Sequence, residues 1–535
     1  MDRHSRDLIE TSADVVIVGA GVAGLFCALK LAPQPVMLVS AASLDAGVST
    51  AWAQGGIAAA LADGDSVEAH VADMMTSGGG LVDHSTAHGL AREAHARIAD
   101  LVGYGVAFDR DRNSELAVGR ATGHSARRIV HVRGDATGRA IIAALIQAVR
   151  ATSSIRLVEG YAAESLLTHD GIVSGLKIRK VSDATARPVA IAAGAVVLAT
   201  GGIGRLYAAT TNPLHASGIG LAIAARAGAV IADPEFVQFH PTAMMVGRDP
   251  APTVTEALRC RGATLVNRRG QRFMLPRHPL VDLAPRDIVA RGVGAEIGAG
   301  RGAFLDAREI LSDDFADDFP MLHANCRDVG IDPTRQPVPV APAAHAHIGG
   351  VAVDAHGRTS LKGLWAAGEV ASTGAGGANE LGGNALIEAI VMAARVAEDI
   401  AGQVMAAPPS LSDTQCAEAQ GPIPPHAEKT LREMMSGQVG LVRDGSRLAE
   451  AVLAFAKLER EATNPALRNM ATTALLVAAA AWTRRESRGA HYRADFPADN
   501  PALARRTMTT LTAVREVADQ IAAHPSGLTP RTVSV

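Results

Sequence analysis

The apolar run VVIV opens residues 14–32, DVVIVGAGVAGLFCALKLA, which pass from unbroken hydrophobicity through a glycine-rich turn to apolar residues at helical spacing. A strand hydrophobic on both faces is what a buried parallel sheet requires, so this stretch predicts strand, turn and helix. VMLVS (36–40) supplies the second strand of the same βαβ unit. Residues 64–107 carry apolar positions at helical spacing. IRLVEGYAAESLL and GIVSGLKIRK (155–180) predict antiparallel strands, as does VAIAAGAVVLAT (189–200). From Ala232 to about Ala344 the texture turns basic and Pro-punctuated, with shorter elements. Strand and glycine turn return at GLWAAGEVAS (363–372), ahead of a helix over Ala385–Ala401. MAAPPSLSDTQCAEAQGPIPPH (405–426) predicts a Pro-rich linker, and residues 427–522 predict amphipathic helices. No fixed-period repeat is present.

Length adds that 535 residues exceed one core and divide into two to four domains. With 48% hydrophobic and 20% charged residues, global disorder is excluded. Lys plus Arg number 51 against 54 acids, a net −3, which gives nucleic acid or an anionic membrane no electrostatic hold. Cys27, Cys260, Cys326 and Cys416 lie far apart without a CxxC pair, which argues against an iron–sulfur cluster, structural zinc or a disulfide framework and for a cytoplasmic setting. The polar start MDRHSRDLIETSAD does not read as a signal peptide. TALLVAAAAW (473–482) is too short to span a membrane and predicts a buried helix.

Chemistry enters at Gly19-Ala20-Gly21-Val22-Ala23-Gly24, a GxGxxG between strand and helix. Its glycines permit a tight turn and let backbone N–H groups approach a pyrophosphate at the helix N-terminus. The acid expected about 20 residues on to hold a ribose is absent; the second strand ends in Val39-Ser40-Ala41, leaving Ser40 one bond to offer. ATGG (199–202), with Thr200 and Gly201, and GLWAAGEV, with Glu369, add two more glycine-rich strand ends. Three such ends favour FAD over NAD; the plain alternative is ordinary sheet-to-helix turns. Arginine is matched in charge and shape to a carboxylate ligand, and histidine or threonine can complete its contacts. His240, Thr255, Glu256, Arg286 and His345 are the candidates, and each has a structural alternative. Arg286 next to Asp287 also reads as a surface ion pair, His240 before Pro241 as a turn histidine, and Glu256 as a helix residue. Asp287 can simply anchor Arg291. His345 and His347 share one strand face, but without a companion at ligand spacing no metal is expected.

The series GxGxxG, STAWAQGG (49–56), ATGG, EFVQFHPT (235–242), TEALR (255–259), LAPRDIVAR (283–291), PAAHAHIGG (342–350), GEV and GANELGGNALIEA (377–389) resembles the succinate dehydrogenase/fumarate reductase flavoprotein superfamily. LREMMSGQVGLVRDGSRL (431–448) and RRESRGAHYRADFP (484–497) extend the likeness through the tail, most strongly toward the L-aspartate oxidase branch. The resemblance implies an α/β fold: a Rossmann-like FAD-binding domain (1–235 and 345–408), an inserted α+β capping domain (236–344) and a C-terminal helical domain (427–535). It implies FAD held by Gly19 to Gly24, Ser40, Ser49, Thr50, Ala51, Trp52, Ala53, Gln54, Gly55, Gly56, Thr200, Gly201, Glu369, Asn384, Ala385 and Leu386. Covalent members carry a histidine just before the threonine that corresponds to Thr50. Ser49 stands there, so the flavin is expected non-covalently bound. Arg286 is implied as catalytic, His240 and His345 as carboxylate ligands, and Thr255 and Glu256 as parts of the cap. The activity implied is oxidation of L-aspartate to iminoaspartate with O2 or fumarate as acceptor, the first step of NAD biosynthesis toward quinolinate. Quinolinate synthase would take the product. The alternatives are a soluble fumarate reductase-like flavoenzyme and a non-catalytic flavin-binding protein.

Four positions depart from the family pattern. RATGHSARR (120–128) has Ala121 where a glutamate is usual, and GANELGGNA (377–385) has Glu380 where an arginine is usual. Ile219 replaces an acid and Ala41 a lysine. The first pair touches substrate selection and the second the adenosine or ribityl contacts. Glu380 is placed to reach a substrate ammonium in compensation for Ala121. In the tail, Arg443, Arg484, Arg485 and Arg488 read either as a ligand path or as a solvated helix face.

Overall fold

The computed structural model describes residues 12–44, 48–183, 185–311, 315–403 and 422–524. Most of the expected linker, including Cys416, lies outside the described residues.

The expected βαβ start is present as β1 (Ala13–Val18), α1 (Val22–Leu31) and β2 (Val36–Ser40). Helices α2 (Val67–Ser77) and α3 (His84–Gly103) fill the stretch of helical spacing, and α4 (Thr137–Ala151) leads into β3 (Ile155–Glu159). A hairpin, β4 (Tyr161–His169) and β5 (Ile172–Lys180), precedes β6 (Val189–Leu198). The strands line up as β3-β2-β1-β6-β5-β4. β1 runs parallel to β2 and β6, and β2 parallel to β3; β4, β5 and the start of β6 are antiparallel. Residues 155–159 therefore differ from the antiparallel reading. Gly160, at φ +77°, turns the chain from the parallel edge into the hairpin, a conformation that favours glycine. Along β1, Val16 and Val18 enter one core and Val15 and Ile17 the other, as the two-residue period of a doubly covered strand demands.

After α5 (Ile219–Arg226) the chain forms β7 (Val237–Met244), α6 (Arg286–Gly298) and β8 (Val338–His347). β7 and β8 pair antiparallel in a second sheet completed by Phe304–Asp306 and Thr264–Val266. That sheet has its own core, with Met244, Leu258, Leu265, Phe273, Val293 and Val340. β8 is continuous through residue 345, so a boundary at 344/345 crosses a strand. The chain returns with β9 (Leu364–Ala366), which joins β6 in parallel, and α7 (Asn384–Ala401). Among the described residues the tail helices are α8 (Pro425–Gln438), α9 (Gly445–Glu461), α10 (Pro465–Thr483) and α11 (Leu511–Ala523). α10 is buried around most of its circumference and shares a core with Val16, Val196 and Leu198 of the central sheet. The solvated-face reading of the tail arginines does not hold for three of them. Arg484 pairs with Glu235 at 2.6 Å, Arg488 with Glu486 at 2.9 Å, and Arg443 donates to the Glu235 carbonyl at 2.7 Å. Among the described residues no helix is long and apolar enough to cross a membrane.

Candidate active site

One cavity of about 380 Å³ opens where β1, β6 and β9 deliver their C-terminal ends. At its floor the first glycine turn leaves no room for side chains. A Cβ on Gly19, at φ +113°, would lie 2.1 Å from the Ala199 carbonyl oxygen, and one on Gly24 would lie 1.8 Å from that of Gly19. Helix α1 has Gly21 as its N-cap, which offers no side chain to its first turn, so N–H groups there beyond that of Val22 stay available to an anionic ligand. The turn Ser49–Trp52 is tied to that helix by the Val22 N–H, which donates to Thr50 Oγ1 at 3.2 Å. Gln54 Oε1 and Thr200 Oγ1 are buried without hydrogen-bond partners among the described residues. Orphaned polar atoms of this kind cost about 1–3 kcal/mol each unless a ligand meets them. A flat ligand with a polar edge and a pyrophosphate tail fits these residues, which are the chemistry of FAD.

Of the cofactor residues expected from sequence, Gly19–Ala23, Ser40, Ser49, Thr50, Trp52–Gly56, Thr200, Gly201, Glu369, Ala385 and Leu386 line the cavity. Gly24, Ala51 and Asn384 do not. Gly24 lets α1 pack on the turn, and Asn384 Oδ1 is 3.0 Å from His70 Nε2. At the far end the Ser40 hydroxyl donates to the Ala42 carbonyl at 2.7 Å, and Glu159, its neighbour across the ladder, accepts from the Leu44 N–H.

His240, Thr255, Glu256, Arg286 and His345 line the same cavity, although they come from β7, the loop after it, α6 and β8. Arg286 is the first residue of α6. Its Nε donates to Glu256 Oε2 at 2.7 Å and its Nη1 to Gln238 Oε1 at 2.9 Å. Gln238 in turn donates from Nε2 to Asn379 Oδ1 at 2.9 Å and to the Glu380 carbonyl at 3.0 Å. Asn379 donates to Asp287, which also pairs with Arg291 at 2.8 Å, so the structural role given to Asp287 is present. Two sides of the Arg286 guanidinium are thereby fixed. Its Nη2 faces Gly382, where a Cβ would come within 3.1 Å.

The electrostatics separate the candidates. Burial alone would raise Glu256, but the charges of Arg286 and Arg259 hold it well below the usual carboxylate range. Burial opposes charge on Arg286, and Glu256 outweighs that to push the guanidinium up, so it stays protonated. Burial, then His345 and Arg286, holds His240 well below its ordinary value; burial and Arg286 bring His345 down to about 4. Both imidazoles are neutral at neutral pH and bind an anion as N–H donors. The Thr242 N–H donates to His240 Nδ1 at 3.2 Å, which leaves Nε2 as the ring's donor. His345 Nδ1 lies 2.7 Å from the Thr211 hydroxyl, and the two ring centroids are 5.0 Å apart. His347, two residues on, spends its Nε2 on the Pro234 carbonyl.

Glu369, Glu380 and Glu388 on the cavity wall behave differently. Burial pushes Glu369 up to about 7, and burial with Glu388 pushes Glu380 up to about 8; burial also raises Glu388. Sequence reasoning passed over Glu388, Gln238, Asn379 and a buried support under the 376–383 loop. There His124 Nε2 donates to the Gly382 carbonyl at 2.7 Å, while Arg128 holds Asp65 and Asp73 and lies 3.3 Å from His124 Nδ1. Gln238 sits two residues before His240 in the quoted stretch, and the two-residue strand period was the signal available for it.

Residues 14–386 match the FAD binding domain family, and residues 464–525 match the fumarate reductase flavoprotein C-terminal family. An L-aspartate oxidase of Mesorhizobium japonicum is 46% identical over 93% of this chain and 94% of its own. One from Agrobacterium fabrum is 46% identical over 92% and 93%, and one from Mycobacterium tuberculosis 41% over 92% and 94%. Among solved structures, an E. coli quinol fumarate reductase FrdA variant superposes with a TM-score of 0.83 at 27% identity, covering 94% of both chains. Mycobacterium smegmatis Sdh1 in complex with UQ1 gives 0.78 at 32% identity, over 92% of this chain and 90% of that one.

Proposed function

Because the chain belongs to the L-aspartate oxidase family of FAD-binding proteins, we propose that it oxidises L-aspartate to iminoaspartate on non-covalently bound FAD. Dioxygen or fumarate takes the electrons, and the reaction opens the route to quinolinate in NAD biosynthesis. The observation that carries the reading is Arg286, braced by Glu256 and Gln238, in one cavity with two neutral imidazoles and the glycine-lined cradle. FAD, once bound, would supply the two-electron acceptor. Arg286 stays charged and holds one substrate carboxylate through its free Nη2 edge. His240 and His345 donate N–H bonds to the other carboxylate, with the Thr255 hydroxyl beside them. Residues 236–344 cap the flavin unit and exclude water from the substrate, which strengthens each of these contacts. With Ser49 where a histidine would form the covalent link, the flavin is released on denaturation.

The product imine is prone to hydrolysis, which favours direct uptake by a quinolinate synthase, and the free thiols of Cys27 and Cys260 suit the reducing cytoplasm. The deciding experiment adds L-aspartate anaerobically to the FAD-loaded protein. Loss of the visible flavin absorbance is expected. A spectrum unchanged by L-aspartate but restored to the oxidised form by fumarate after chemical reduction would instead establish a fumarate reductase.

A further inference from the structure

Resting on the aspartate-oxidising reading, we propose that Glu380 receives the substrate's ammonium group and so selects an amino dicarboxylate over one that lacks the amine.

Its acidic neighbours in the cavity each have at least one partner. Glu256 carries Arg286, Glu388 accepts from Thr373 at 2.6 Å, Glu369 accepts from the His347 N–H at 2.8 Å, and Asp233 pairs with Arg506 at 2.6 Å. The described residues give the Glu380 carboxyl no hydrogen bond, yet it lines the cavity. Its backbone is pinned, because its carbonyl accepts from the Gln238 amide that also holds Arg286. The side chain therefore springs from a fixed point beside the carboxylate clamp.

The wall offers few competing acceptors. Ala121 presents a methyl group next to Gly382, Arg286 and Glu256. The charge of Glu256 is already matched by Arg286 and by Arg259 at 3.7 Å. A dicarboxylate without an amine brings no cation for Glu380 to pair with, so the buried carboxyl keeps its proton and adds no charge attraction. An amino dicarboxylate brings the missing cation. The groups that face Glu380 are Glu388, Arg286 and Glu369; burial and Glu388 keep it protonated at neutral pH. An arriving ammonium displaces that proton, so binding releases one.

The test measures equilibrium binding of L-aspartate and succinate by calorimetry on the full FAD-loaded chain with the flavin chemically reduced, so that no turnover intervenes. Wild type is expected to prefer L-aspartate, with proton release at pH 7 and a preference that grows from pH 6 to 8.5. Glu380→Gln is expected to weaken L-aspartate about tenfold or more, as loss of a charged hydrogen-bond partner does, and to leave succinate as tight or tighter. Its proton release should vanish. A variant preference within twofold of wild type overturns the proposal. So does a wild-type preference that is absent or flat with pH, a readout that does not depend on the variant folding. Failure of the oxidase reading is seen separately, as an oxidised flavin that L-aspartate does not bleach.

Discussion

The flavin cradle and the substrate pocket share one cavity but are built on opposite principles. The cradle is backbone: glycines at positions where a Cβ would fall inside a neighbouring carbonyl, and helix N–H groups left without caps. The pocket is side chains from five separate stretches, each charge braced by another, as Arg286 is by Glu256 and Gln238. Steric exclusion fails all at once. A braced charge network fails in steps, because each partner removed leaves the others partly satisfied.

The largest effect is therefore expected in the cradle. Gly24→Val places atoms within 2 Å of the Gly19 carbonyl and forces α1 off the β1 turn. The purified variant should carry no flavin and melt earlier by several degrees, whereas wild-type flavin content would show that the turn adapts. Next comes Arg286→Ala. It removes the clamp and leaves Glu256 buried with only Arg259, a loss of about 3–5 kcal/mol where a buried pair is broken. kcat/KM for L-aspartate should fall about a thousandfold or more with flavin retained. Arg286→Lys keeps charge without the fork and should sit between the two; a lysine variant equal to wild type would mean that bidentate geometry does not matter. Smaller still is Gly382→Ala, whose methyl presses on Arg286 Nη2 from 3.1 Å. An increase in KM of about tenfold, with kcat less affected, is the expected split.

The same contrast explains what could be read in advance. The cradle is contiguous and its glycines are specific, so GxGxxG, STAWAQGG and ATGG pointed to the cavity that the structure contains. The exceptions are informative: Gly24 and Asn384 serve helix packing and the His70 contact rather than the lining. The pocket's bracing escaped notice because Gln238, Asn379 and His124 are ordinary polar residues whose partners lie 48 to 258 positions away. Hydrophobic period likewise marked Ile155–Glu159 as a strand but not its partner, which the turn at Gly160 decides. In the tail, amphipathic spacing put Arg484 and Arg488 on a polar face. It did not reveal that Glu235 and Glu486 wait there, buried, to pair with them.

The finest distinction between the two regions is a pH effect. The cradle holds few ionisable groups, whereas Glu380 in the pocket has a folded value of about 8 against an ordinary 4.5. A group raised in the folded state binds its proton more tightly there than in the unfolded chain. Its contribution is thus fully present below about pH 4.5 and lost as the pH rises through 8. Glu380→Gln abolishes that loss. The variant's melting temperature minus that of wild type, measured on flavin-free protein, should grow between pH 5 and pH 8.5. Solvent screening on a half-buried wall limits the gain to about 1–2 kcal/mol, a degree or two in a chain of this size. Glu388, Glu369 and Arg286 remain in both proteins, so their titration largely cancels in the difference. A difference that stays constant over this range would mean that Glu380 is already ionised, and the pocket would then hold a fixed negative charge rather than a displaceable proton.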